Sequence, residues 1–325
     1  RSLAANYAEV APHYSRTASA ALASAEPPPE PGPGLAIVTT AAIAARSTEL
    51  ARFEAWKAAQ GFRVIRVTDA DFGGGVGNVA ADNLRRWLQA HWSSLNLEAV
   101  LLIGNPHPVT GDVPMKLTLP KPGYPTPTDL YYADLSGNWD LDGDGQFGEY
   151  VGDCAAGGVD RNLEVAVGRI PYYGNAAHLD AILAKIRAYQ ETPPDGQGWR
   201  RRALLPMANV DDWTATFWLG EAIRDDILVG SDWTSHRLYY EPVGKFETPP
   251  ESAVCTMAAV LAAWQAEPVG LAVWWTHGSD VTAAEVIDTA HLGGLDDGHP
   301  AVTYQVSCNN SYQESSQNLA YSLLR

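Results

Sequence analysis

Two stretches near the end of the chain decide how it is read: VGLAVWWTHGSD (residues 269–280) and AVTYQVSCNNSYQE (residues 301–314). Each is a β-branched and aromatic run of strand length that stops at a chemically reactive residue, His277 in the first and Cys308 in the second. In a parallel sheet, side chains at the carboxyl ends of the strands face the crevice where ligands bind. Two neighbouring strands of this kind would present an imidazole and a thiol to one crevice.

Working outward, the same half of the chain alternates. ALLPMAN (203–209) reads as a strand, 214–228 as a helix, HRLYYE (236–241) as a strand and 252–265 as a helix, with a last helical stretch over 315–325. Before a hinge-like TPPDGQG (192–198), the pattern is strand 35–40, helix 47–60, strand 62–68, helix 78–91 and strand 99–106, then strand 164–173 and helix 175–190. This predicts an α/β fold of mostly parallel sheets with helices on both faces. Two segments fall outside the alternation. Residues 1–34 are Ala- and Ser-rich and end in EPPPEPGPG, the composition of a stiff linker behind a leader or propeptide remnant. Residues 106–160 form an irregular stretch full of Pro, Gly and Asp, and a loop that long in a compact domain has a function or a ligand holding it.

Composition sets limits on function. The 325 residues are 46% apolar, enough for a large core and two domains or subdomains. Lys and Arg number 22 against 38 Asp and Glu, a formal net charge of −16 with no basic run, which disfavours nucleic acid and anionic membrane as partners. No apolar stretch is long enough to cross a bilayer, so a soluble chain without membrane insertion is expected. Three cysteines, Cys154, Cys255 and Cys308, are too few for a disulfide framework and leave at least one thiol free; a Cys154–Cys255 bridge is allowed but not required.

A thiol becomes a nucleophile when its proton is removed, and imidazole is the usual partner near neutral pH. His277 is followed by Gly278 and Ser279, so backbone N–H groups there can approach a substrate carbonyl with no Cβ in the way. The alternative is plain: a Cys closing an apolar strand is commonly a small buried hydrophobe, and His-Gly is a common turn. Both residues ending core strands in the same half of the chain favours a cysteine-nucleophile hydrolase.

DLDGDGQFGE (140–149) carries a second chemistry. Carboxylates at alternate positions direct Asp140, Asp142 and Asp144 toward a common centre, and the Gln146 carbonyl and the Glu149 carboxylate can complete a shell of hard oxygen ligands suited to structural calcium. It is not an EF-hand, whose twelfth position needs Glu where Val151 stands. A solvated acidic loop is the competing reading.

WWTHGSD and QVSCNN resemble the His-Gly and Cys segments of caspase-like cysteine peptidases, and in particular of the gingipain family. TDLYYADLSGNWDLDGDGQFGE (128–149) and EVAVGRIPY (164–172) are similar to runs in the first subdomain of gingipain-like proteins, so the resemblance covers about residues 35–325. It implies a caspase/gingipain-like three-layer sandwich in two tandem subdomains, 35–195 with the calcium loop and 196–325 with the catalytic residues, the latter lacking its C-terminal strands. It also implies a dyad in which Cys308 attacks the scissile carbonyl and His277 protonates the leaving amine, with the N–H groups of Gly278 and Cys308 as oxyanion donors. A carboxylate orienting the histidine would come from NVDDW (209–213), Asp211 ahead of Asp212; a capping turn is the other reading of that loop. Arginine-specific relatives carry an acid near the start of the next helix, whereas TATFWLGE (214–221) has none before Glu221. Expected from the resemblance are protein or peptide substrates, a zymogen, secretion or a cell-envelope location, and a C-terminal fragment of the same precursor as partner after a cut at Arg325. A catalytically silent calcium-dependent binding module and a thiol transpeptidase are the competing classes.

Overall fold

The computed structural model describes residues 32–240, 247–249 and 252–325. The leader expected over 1–34 therefore lies almost wholly outside the described residues.

The first sheet grows from strand β1 (Gly34–Val38), flanked by β2 (Arg63–Val67) on one side and β3 (Leu97–Gly104) then β6 (Ala166–Pro171) on the other, all parallel. The period-2 alternation of β1 supplies two cores at once. Ala36 and Val38 face Ala81, Leu84 and Leu88 of helix Gly77–His91, while Leu35 and Ile37 face Leu50 and Phe53 of helix Leu50–Ala59 and Leu179 and Ile182 of helix Ala176–Glu191. The second sheet has the order β13 (Val302–Val306), β10 (Leu271–Trp275), β7 (Arg202–Met207), β8 (Thr234–Tyr239), β9 (Ala253–Val254), again parallel throughout. Leu204, Ala272 and Trp274 pack against helix Met257–Ala266, and Ala203, Leu205, Met207 and Val273 against helix Phe217–Ile223. Each sheet is thus the middle of three layers, as the alternation predicts.

Several boundaries differ from the sequence reading, each for a local reason. The helix expected over 47–60 is Leu50–Ala59, and a further short helix, Ala41–Arg46, precedes it where none was expected. Thr40 caps Ala41–Arg46 by accepting from the Ile43 N–H at 3.1 Å, and Leu50–Ala59 starts where Ser47, Thr48 and Glu49 donate to the distant carboxylate of Asp180. Residues 106–160 are not wholly irregular: β4 (Lys116–Lys121) and β5 (Tyr124–Thr128) form an antiparallel hairpin. Pro125 and Pro127 are two residues apart, so they remove donors from one side of that ribbon only. The helix read from 252 begins at Met257, capped by Thr256, because residues 253–254 pair with β8. All three cysteines are free, so there is no Cys154–Cys255 bridge. Burial, and then the charge of Glu285, pushes the Cys255 thiol up to about 12, leaving it inert.

The last helix, Leu319–Leu324, joins the two halves. Leu319 enters the core of the second sheet and Tyr321 that of the first, where its ring meets Tyr173 edge-on at 4.8 Å and its hydroxyl meets His178 Nδ1 at 3.1 Å. Tyr321→Ala empties a buried aromatic site and should cost about 3 to 5 kcal/mol, by analogy with other large aromatic truncations. Chemical denaturation should show a lower midpoint with an unchanged far-UV spectrum.

Candidate active site

Strands β10 and β13 pair in parallel from Leu271 opposite Val302 to Trp275 opposite Val306, and the Thr276 N–H extends the ladder to the Val306 carbonyl at 3.1 Å. His277 and Cys308 each stand two residues beyond the last pair. Register alone therefore delivers imidazole and thiol to adjacent positions on one sheet edge, about one strand spacing (~4.8 Å) apart along the backbone. Both are exposed.

The loops carrying them are in contact. A Cβ on Gly278 would lie 2.5 Å from the Cys308 carbonyl oxygen and 2.9 Å from Ser307 Cβ, so only glycine fits between the two turns. The turn after His277 is closed by Ser279 N–H to Thr282 O (2.8 Å) and Ala284 N–H to His277 O (2.9 Å), so its own bonds do not use the Gly278 N–H. Asn309 follows Cys308 with φ of 61°, a left-handed position that asparagine tolerates better than most residues.

The imidazole is oriented from the neighbouring strand. Ala208 continues β7 along β10, its N–H donating to Trp275 O at 3.0 Å, and two residues later the Val210 carbonyl meets His277 Nε2 at 2.6 Å. A carbonyl can only accept, so Nε2 carries a proton and Nδ1 is the nitrogen left to exchange one. Asp211, the carboxylate favoured from sequence, accepts from the N–H groups of Trp213 (2.7 Å) and Thr214 (2.6 Å) and from the Thr214 hydroxyl (2.9 Å). Those bonds, foremost the one from Trp213, hold its carboxyl below the usual range, with a smaller contribution from the charge of His277. The directed hydrogen bond to the imidazole thus comes from the main chain of Val210, which no side-chain motif could reveal. Glu221 is committed elsewhere, accepting from Arg237 (2.9 Å) and Tyr239 OH (2.7 Å).

The alternating acids do not meet at one centre but fall into two groups that share Asp142. Single oxygens of Asp140, Asp142 and Asp153 lie within 4.8 Å of one another, as do those of Asp142, Asp144 and Glu149. Gln146 turns its amide to Asp144, donating at 2.6 Å. Asp153, missed in the sequence because it lies beyond the run of alternating acids, is fully buried and accepts from the N–H groups of Leu141 (2.6 Å) and Glu149 (3.0 Å). Gly145 has φ of 84°, the sharp turn that brings the acids round. Partial burial, then the charges of Asp144, Asp142, Asp153 and Asp140, raise the pKa of Glu149.

The family model for peptidase family C25 matches residues 28–325. The chain belongs to peptidase family C25. Among solved structures, the Arg-specific cysteine proteinase gingipain R (RGPB) superposes with a TM-score of 0.66 at 18% identity, over 91% of this chain and 59% of that one. A second structure, described as a protease, gives 0.61 at 16% identity over 90% of this chain and 56% of the other. At such identities the likeness establishes the fold, the caspase/gingipain-like sandwich expected from the sequence. This C25 chain spans less than two thirds of either structure's length. No curated protein matches its sequence.

Because a Cβ on Gly278 would meet the Cys308 carbonyl oxygen first, with Ser307 Cβ and the Asn310 amide close behind, Gly278→Ala must push the His277 and Cys308 turns apart. The expected cost is about 1 to 3 kcal/mol, read as a lower melting temperature together with slower alkylation of Cys308.

Proposed function

We propose that this C25 chain is the core of a cysteine endopeptidase working through a Cys308–His277 dyad. The observation that carries the reading is the β10–β13 register, which sets both residues at the same step past the same ladder with the His277 tautomer already determined. His277 Nδ1 takes the thiol proton, and Cys308 Sγ attacks the scissile carbonyl carbon. The oxyanion is held by the N–H groups of Gly278 and Cys308. His277 then gives its proton to the departing amine, the C–N bond breaks, and a thioester remains for water to hydrolyse, returning the proton to the thiol. The Val210 carbonyl keeps the ring oriented throughout.

The acidic loop is proposed as a structural calcium site using Asp140, Asp142, Asp144, the Gln146 carbonyl and Glu149, with Asp153 as a further donor from beneath. The donor set fits: hard oxygens lie within 4.8 Å of one another in each of two groups joined by Asp142, with the ionised form of Glu149 disfavoured until a cation arrives. When bound, the ion would neutralise that repulsion and hold the loop closed. The proposed calcium loop, the Ala- and Ser-rich N-terminal segment ending in EPPPEPGPG and the family together support a secreted or cell-envelope zymogen acting on proteins or peptides. Val302 and Tyr304 on the open edge of β13 are 58% and 66% exposed, and a C-terminal fragment of the same precursor is proposed to add its strand there. No helix among the described residues is long and apolar enough to cross a membrane.

Intact mass after treatment with a peptidyl acyloxymethyl ketone should show one adduct, absent in Cys308→Ala and formed about 10²- to 10⁴-fold more slowly in His277→Ala. Adduct formation equal in all three would sink the dyad, and acyl transfer to an added amine in preference to water would favour the transpeptidase.

For calcium, the sign follows from the raised Glu149 pKa. Without the ion, the stability linked to Glu149 is present when it is protonated and is lost as pH rises through its folded pKa; the ion binds the ionised form. The melting-temperature gap between calcium and chelator should therefore widen from about pH 4 to about pH 7. A gap independent of pH, or no gap, would refute the site.

A further inference from the structure

Asn310, two residues past the nucleophile, is only 2% exposed and stands at the junction of the two reactive turns. Its amide Nδ2 donates to the carbonyls of Ser279 (2.7 Å) and Thr282 (2.9 Å) in the turn after His277. Its Oδ1 accepts from the Ser307 hydroxyl, and Ser307 Oγ accepts from Trp274 Nε1 at 3.0 Å. The direction of this chain is forced. The indole N–H can only donate, so Ser307 must spend its own proton on Asn310, which leaves both amide protons for the two carbonyls. The main-chain oxygen of Asn310 also accepts from the Ala320 N–H (3.0 Å), while Leu319 N–H donates to Asp280 O (2.7 Å), so the first turn of the last helix closes over the same junction.

We propose that Asn310 is a positioning residue for the reaction: it locks the Cys308 turn onto the His277–Gly278 turn and so sets the approach of the thiol to imidazole Nδ1. The inference rests on the dyad reading above. A buried amide satisfied on all sides is rigid, whereas the contact it enforces, glycine against backbone, has little attraction of its own. Removing the amide takes one hydrogen bond from each of the Ser279 and Thr282 carbonyls, leaving Thr282 O held only within its own turn by the Ser279 N–H, and lets the two turns separate.

The test is Asn310→Ala and Asn310→Asp, with kcat and KM on a peptide substrate, the pH profile of Cys308 alkylation by iodoacetamide with and without His277→Ala, and the denaturation midpoint. Asn310→Ala should lower kcat about 10²-fold with KM little changed, as expected for a displacement of about 1 Å, and move Cys308 alkylation toward that of a free thiol. Asn310→Asp should be impaired near neutral pH, where a carboxylate faces two carbonyls, and should recover in part as pH falls, because the protonated acid can again donate to one of them. A folded Asn310→Ala protein with unchanged kcat and unchanged alkylation profile would overturn the role and leave Asn310 as a stabilising residue only. If Asn310→Ala does not fold, an Asn310→Asp protein whose kcat and alkylation do not change with pH beyond the unsubstituted chain overturns it equally. Alkylation of Cys308 in the unsubstituted chain that ignores His277 would instead refute the dyad itself.

Discussion

Parallel pairing of β10 with β13 is the constraint on which the site depends. Five consecutive pairs, ending at Trp275 and Val306, leave no freedom in where the two strands release the chain. A slip of one residue would turn Trp274 out of the core and move Cys308 to the opposite face relative to His277. Trp274 is fully buried, so hydrophobic burial of about 2 kcal/mol or more per large side chain guards the register that chemistry needs. The packing that holds Trp274 also fixes where His277 and Cys308 leave their strands.

Polar groups complete what register begins. Val210 and Asn310 link three loops at the carboxyl end of the second sheet without any ion pair, using main-chain carbonyls and one amide. Neutral hydrogen bonds suit this position, because a buried charge beside the thiol would have to be offset or would shift its titration. Asp211, the carboxylate of the neighbouring loop, stays exposed and is held by Trp213 and Thr214.

The acidic loop uses charge in the opposite way. Its frame is cationic: Arg85, buried, donates to the carbonyls of Tyr131, Asp134 and Gly137, and Lys116, buried, meets Asp82 at 2.6 Å with its ammonium 3.6 Å from the Phe147 ring centre. Buried Asp134 accepts from the Gly137 N–H and Trp139 Nε1, pinning the loop's entry. A rigid frame of this kind presents the acids together in spite of their repulsion, the preorganisation a hard cation requires.

Alternating hydrophobic runs determined the three-layer plan, the two reactive strand ends and the acidic ligand run, because each is a short-range pattern written in one segment. What the chain's order concealed was every partner distant along it. Asp180 caps a helix 132 residues away through Thr48, and Tyr321 closes the core of the first sheet from the last helix. Asp153 completes the acidic cluster from below, and Val210 orients a histidine 67 positions later through an oxygen every residue possesses. Sequence by itself determined which residues could do chemistry, since that is a property of side-chain type and local pattern. Only the tertiary structure decided which of them meet, because hydrogen-bond partners and glycine clearances depend on distances between segments that no local pattern encodes.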